Sequence, residues 1–229
     1  MSTNPGKQEQ TASAEGGQET GRMSADARRR QLIEVAISLF SQKGFRGTTT
    51  KEIALAARVN EAIIFRHFAT KEDLYAAILD YKAGEVRVDE WLEEFKGHAE
   101  RRDDEGLFRS FARRIIDRHG RDTDFLRLML YSALEGHELA RNFHEKQFKP
   151  INEFFNGYIT RRQREGAFRA GNPKIILQAF IGMVVNHLLN TRLFGFDSIR
   201  ISDKEAVKSF PLLLLDGLRL APASETHNR

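Results

Sequence analysis

The sequence predicts an all-α protein: three short helices gathered into a head near the N-terminus, then a larger series of amphipathic helices. Apolar residues recur at i, i+3, i+4, i+7 spacing, as at Ile33, Ala36, Ile37 and Phe40. Helix-capping residues stand ahead of these stripes, and no stretch alternates convincingly as a half-buried strand would. The 229 residues suffice for one or two domains with a sizeable core.

The first 21 residues are rich in Gly, Ser, Thr, Gln and Glu, with no large apolar residue beyond Met1. They cannot bury enough surface to offset their ordering entropy, so residues 1–22 are expected to form a disordered arm. Ser24 or Asp26 then caps a helix running to Lys43, its stripe widened by Leu32 and Leu39. Gly44 ends that helix in a left-handed conformation and Phe45 turns back into the core. Arg28, Arg29 and Arg30 sit slightly unfavourably against the helix dipole, which leaves a phosphate contact and a solvated first turn equally open.

A second helix starts at Thr48, Thr49 or Thr50, with Glu52 placed three residues after Thr49 as in a capping box. Ile53, Ala54, Ala57 and Val59 give apolar contacts that let two short helices cross steeply. Asn60 caps the third helix, Glu61 to His67, about 10 Å long at 1.5 Å per residue. That length suits one visit to a DNA major groove. Charge agrees. Residues 1–21 carry one Lys against three Glu, residues 22–71 carry ten Lys and Arg against four Asp and Glu, and residues 72–229 balance at 25 against 25. The excess behind the net charge of +4 therefore lies on the head, as a basic face at one end of the molecule.

From Gly44 the chain reads G-F-x-x-T-T-x-x-E-I-A, and from Val59 it reads V-N-x-x-x-I-F-R-H-F-x-x-K-E-x-L. This pattern, from Arg28 to about Tyr75, resembles the helix-turn-helix DNA-binding domain of the TetR (tetracycline repressor-like) family of bacterial regulators. The resemblance implies a head over 23–71, a helical ligand-binding and dimerisation domain over 72–220, and a disordered tail over 221–229.

Contacts that position a protein on DNA differ from those that read bases. For phosphate the sequence offers Thr49 and Lys51 at the start of the second helix, and His67 and Lys71 at the entry to the fourth, with Arg46 and Arg58 in support. For base edges it offers Asn60, Glu61, Ala62 and Arg66; Arg66 can fork onto guanine, Asn60 onto adenine, and Glu61 can accept from cytosine. Three positions depart from the family pattern. Arg58 stands at the turn position that is usually glycine, at a cost of about 1 kcal/mol if the turn is left-handed. Phe65 replaces a tyrosine whose hydroxyl would reach phosphate, and Ile63 replaces a small or hydroxyl residue. These keep open an alternative, a protein of this fold that no longer binds DNA and acts through another partner.

Lys71 opens a helix carried through Tyr81 towards Phe95, with Gly84 a possible interruption and a polar connection over Gly97 to Gly106 that leaves His98 exposed. Further helices are expected around Phe108 to Ile116, Phe125 to Leu134, Leu139 to about Gly166 with a kink or split at Pro150, Pro173 to about Phe194 capped by Asn172, and Asp203 to Leu220 with a kink at Pro211. Their apolar surface exceeds what a small bundle hides, and the resemblance implies a homodimer, with Phe148 to Ile159 and Ile175 to Leu193 as interface candidates, a buried role within the chain being equally open for any single residue of them. It also implies a small-molecule effector bound among the middle helices. Phe108, Phe111, Phe125, Phe154, Phe180 and Trp91 offer lining, with His137, His144 and His187 for polar contact, although plain core packing is the better explanation of most of these. The effector is expected to be apolar or aromatic.

No enzyme motif competes. His144 and Glu145 begin an H-E-x-x sequence, but Phe148 occupies the place of its second histidine. There is no Gly-rich phosphate loop, no G-x-S-x-G elbow and no cysteine, and neither catalysis nor a cofactor is implied. No apolar run approaches a membrane span and the start lacks a secretory apolar core, so a cytoplasmic protein is expected. The predicted function is a regulator, most simply a repressor, that binds a palindromic double-stranded operator as a dimer.

Overall fold

A computed structural model of the chain describes residues 23–85, 87–121, 123–196 and 201–219. Among these, eleven α-helices and two π-helical segments account for most of the chain, and the β pairing is one antiparallel bridge between Phe168 and Arg219. The arm over 1–22, the tail over 221–229 and Leu220 lie outside the described residues.

The head is built as its caps dictate. α1 (Ala25–Lys43) starts at Ser24, whose side chain accepts from Ala27 N, and ends at Gly44 with φ of 72°. α2 (Thr50–Ala56) starts at Thr49 with the full capping box to Glu52. α3 (Glu61–His67) starts at Asn60, whose Oδ1 accepts from Ile63 N at 3.1 Å. Leu32, Ala36, Phe40, Ile53 and Ile64 close the space between the three helices, each with at most trace exposure.

α4 (Lys71–Glu85) stops short of the extent expected for it, and α5 (Val88–Glu100) is a separate amphipathic helix burying Trp91 and Phe95. The polar connection shrinks to residues 101–103. Asp103 accepts from Gly106 N at 2.9 Å and meets His98 Nδ1 at 2.7 Å, so His98 is partly buried and paired instead of exposed. α6 (Asp104–Arg121), α7 (Thr123–Leu134) and α8 (Glu138–Phe143) follow. The long segment before Gly166 is split, as Pro150 required: a π-helical turn over His144–Phe148 precedes α9 (Lys149–Arg164), and the proline sits in the first turn of α9, where its missing N–H costs little. α10 (Pro173–Leu188) runs into a π-helical segment, Leu189–Phe194, ended by Gly195 at φ 65°. α11 (Asp203–Leu218) carries Pro211 inside it.

Two apolar cores result. One joins the head to α4, α7 and α8 through Tyr75, Phe125, Leu128, Leu139 and Phe143. The other gathers α5, α6, α9, α10 and α11 around Phe95, Phe108, Phe111, Phe155 and Phe180. Residue 71 thus marks the start of α4 but not the edge of a core. The apolar face of α9, expected at a dimer interface, is spent inside the chain: Ile151, Phe155, Tyr158 and Ile159 are all buried. Large exposed apolar residues are spread over the described surface, at Leu55 and Phe65 on the head, Leu130 and Leu134 on α7, and Phe194 and Phe196 after α10; those on the last two helices are Ile175 and Val185 of α10 and Leu213 of α11.

Candidate functional site

The basic face of the head is set by the turn between α2 and α3. Val59 N donates to Ala54 O at 2.9 Å, and Arg58 takes the left-handed conformation, φ 57°, that glycine would occupy without strain. Its side chain is thrown outward. On α3, Ile64 is buried while Ala62, Phe65 and Arg66 are exposed, and their spacing places them on one outward face. Arg66 and Lys51 engage no ion pair among the described residues and remain available to a polyanion.

Several residues read from the sequence as DNA contacts have their polar atoms occupied within the fold. Lys71 is the clearest correction: its Nζ donates to the carbonyls of Phe45 and Thr48, both at 2.9 Å, and lies 4.1 Å from the Phe45 ring centroid. The ammonium is engaged within the fold, on the loop between α1 and α2. The Thr49 hydroxyl accepts from Glu52 N at 3.2 Å and donates to the Glu52 carboxylate at 3.0 Å. Asn60 uses its oxygen as a helix cap, so the two-point recognition of adenine loses its acceptor. Glu61 accepts from the Thr50 hydroxyl, a bond joining the starts of α2 and α3. The His67 carbonyl accepts from Arg29 at 3.3 Å, and the Arg29 guanidinium lies 4.4 Å from the Phe68 ring centroid, which spends one of the three successive arginines on packing. For Lys71, Glu61 and Arg29 the partner lies in another turn or helix, where spacing gives no warning, whereas Thr49 and Asn60 are spent on the caps that spacing predicts.

Glu52 is strongly acidic. The Lys43 ammonium, 2.6 Å away, is the first cause, and the backbone and side chain of Thr49 add to it, holding the carboxyl down to about 2.

The larger half contains an apolar chamber of about 290 Å³ between α6, α7, α8, α9 and α10. Phe111, Ile115, Leu126, Met129, Phe143, Phe148, Ile181 and Val185 line it, with His119, His144 and Asn152 as polar members. The π-helical turn forms part of the wall, and such widened turns recur at functional sites. Of the aromatic residues proposed from the sequence, Phe111 alone lines this chamber. Phe108 and Phe180 are fully buried, 5.1 Å apart in the core. Phe154 packs against that core 6.2 Å from Phe95. Phe125 and Trp91 border a different and more charged cleft with Glu85, Arg114 and Asp117. His187 is sealed away from the chamber, its Nε2 2.8 Å from Asp203. Burial raises the Asp203 carboxyl, but His187 and Arg192 outweigh it and hold it below the usual range. Met129, Phe143 and Phe148 were missed because their faces are fixed by how α7, α8 and the π-helical turn pack on one another and on α6 and α9.

Comparison with known proteins follows this geometry. Residues 32–78 match the family model described as bacterial regulatory proteins, tetR family. The HTH-type transcriptional regulator YvkB of Bacillus subtilis is 48% identical over 50 residues, covering 22% of this chain and 26% of that protein. The HTH-type transcriptional repressor Rv3405c of Mycobacterium tuberculosis is 38% identical over 50 residues, covering 22% and 27%. These matches span about a quarter of the relatives' length. Over most of the chain the fold is that of solved regulators: one from Mesorhizobium loti at TM-score 0.61 and 23% identity, covering 87% of this chain and all of that one. AibR, solved with isovaleryl coenzyme A and operator DNA, gives TM-score 0.59 at 23% identity, covering 82% and 98%.

Proposed function

We propose that this chain, which belongs to the TetR family of bacterial regulatory proteins, is a transcriptional repressor that binds a palindromic operator as a homodimer and is released by a small apolar or aromatic effector. One observation carries the DNA reading: an exposed face of Ala62, Phe65 and Arg66 on a short helix braced by α1 and α2, at the basic end of the chain. Arg66 contacts a base edge, with guanine its best partner, while Ala62 and the half-buried Ile63 reach apolar base surface. Lys51, Arg46 and Arg58 contact phosphate through their side chains. Lys71 serves through its backbone N–H in the first turn of α4, where helix N–H groups favour an anion, and His67, at the end of α3, through its ring.

Dimerisation uses the exposed apolar residues of α10 and α11, Ile175, Val185 and Leu213, with Ala179 and Gly182 allowing close approach. Two copies of α3 about 34–36 Å apart would enter successive major grooves. The effector occupies the chamber, whose lining suits an apolar body with a few hydrogen-bonding groups met by His119, His144 and Asn152. Release requires that it bind the operator-incompetent conformation more tightly than the competent one, since equal affinity shifts nothing.

The test is selection of bound duplexes from sheared genomic DNA by the purified protein at several salt concentrations. Enrichment of one palindromic site, lost steeply with salt, supports the reading. Failure to enrich any site at low salt, by protein shown to be folded and dimeric, refutes it.

A further inference from the structure

The corner between α7 and α8 reaches from the larger half of the molecule and grips the head. Glu135, just past the end of α7, accepts from two successive backbone N–H groups, Phe45 N at 3.0 Å and Arg46 N at 3.2 Å. A Cβ on Gly44 would lie 2.5 Å from Glu135 Oε1, so the glycine serves both its positive φ and the approach of the carboxylate. The His137 ring packs beside Phe45 and Tyr75, with centroids 4.9 and 4.4 Å away. Ser132 stiffens the corner: its hydroxyl donates to the His137 carbonyl at 3.1 Å and accepts from Ala140 N at 3.0 Å. The two helices joined there are walls of the chamber, α7 through Leu126 and Met129 and α8 through Ala140 and Phe143.

We propose that Glu135 is the positioning residue through which occupancy of the chamber reaches the DNA-binding head, an inference that rests on the regulatory reading above. A carboxylate holding two N–H groups with its two oxygens is sensitive to direction as well as distance. Displacing α7 against α8 swings this fork off Phe45, Arg46 or both. Those donors lie in the loop that delivers Thr49, the cap of α2, so their release changes how α2 and α3 are presented. Lys71 holds the carbonyls of Phe45 and Thr48 in the same loop, and Glu135 holds its N–H groups from the other half of the molecule.

The experiment is a double-mutant cycle on the full chain, read by hydrogen exchange of the segment 44–48 and by affinity for the duplex that the wild type selects. Ala140→Trp, which fills the chamber from α8, stands in for an occupant; Met129→Trp, filling it from α7, replaces it if that variant does not fold. Ala140→Trp and Glu135→Gln should each speed exchange of the Phe45 and Arg46 amides by about tenfold, the order of one charge-assisted hydrogen bond. Together they should act no more strongly than Glu135→Gln alone, because both open the same fork. Glu138→Gln, at an exposed carboxylate of the same corner, should change nothing. Glu135→Gln should also weaken duplex binding by about three- to tenfold, with the salt slope falling by no more than the single Arg46 contact, about 0.9. Additive effects, an unresponsive segment in Ala140→Trp, or wild-type affinity in Glu135→Gln would overturn the proposal. The exchange arm needs no DNA, so a chain that selects no duplex sinks the regulatory reading without obscuring whether chamber and head are coupled.

Discussion

Replacing Lys71 with methionine separates the role its geometry gives it from the role its place in the sequence suggested. The substitution keeps an unbranched stem and removes the ammonium that bonds the carbonyls of Phe45 and Thr48 and sits over the Phe45 ring. Each hydrogen bond, discounted because Lys71 is only half-buried, contributes about 1 kcal/mol, and the ring contact adds about 0.5 kcal/mol. The variant should therefore lose about 2–3 kcal/mol, which for a chain of this size lowers Tm by about 4–12 °C. Thermal unfolding reads the loss, and titration of the selected duplex across salt concentrations reads the phosphate count. The slope of log K against log salt should stay at its wild-type value at temperatures where the variant is folded. A slope reduced by about 0.9, with Tm unchanged, would place the Lys71 ammonium on a phosphate and refute its internal role.

Three further outcomes are expected. Arg58→Gly should raise stability by about 1 kcal/mol, because Arg58 holds a left-handed backbone at φ 57°; an unchanged or lowered urea midpoint would mean the turn is not strained. Glu52, held down to about 2 by Lys43, should stabilise the head fully above pH 4.5 and progressively less as pH falls towards 2. The gap in unfolding midpoint between wild type and Glu52→Gln should shrink over that range, and a constant gap would contradict it. Phe155→Ala should cost about 3–5 kcal/mol in urea unfolding, because Phe155 is fully buried and its ring centroid is 4.5 Å from that of Phe111; a loss under 1 kcal/mol would mean the site collapses around the deletion.

Local signals in the sequence were read correctly where the physics is local. Ser24, Thr49 with Glu52, Asn60 and Asn172 cap their helices, and Gly44 leaves α1 with positive φ, because each satisfies N–H groups or dihedrals within a turn. Pro150 split a helix for the same reason. What the sequence concealed depends on distant partners. The inward turn of Lys71 follows from two carbonyls more than twenty residues away, and the grip of Glu135 on the head spans about ninety. Phe108 and Phe180 are as aromatic as Phe111, yet only the crossing of α6 and α10 decides which faces a void. Even capping concealed something: the atoms that made Thr49 and Asn60 recognisable as caps are the ones no longer free to meet DNA.

The most direct test of the central claim is a base-by-base substitution scan of the selected duplex, measured in parallel with wild type and Arg66→Ala. The exposed face of α3 predicts a symmetric site with one position per half-site at which the wild type discriminates and the variant does not, with about 1–3 kcal/mol of affinity lost on the preferred sequence. A uniform loss across all sequences would move Arg66 to a phosphate, and unaltered binding would mean that α3 does not read the DNA.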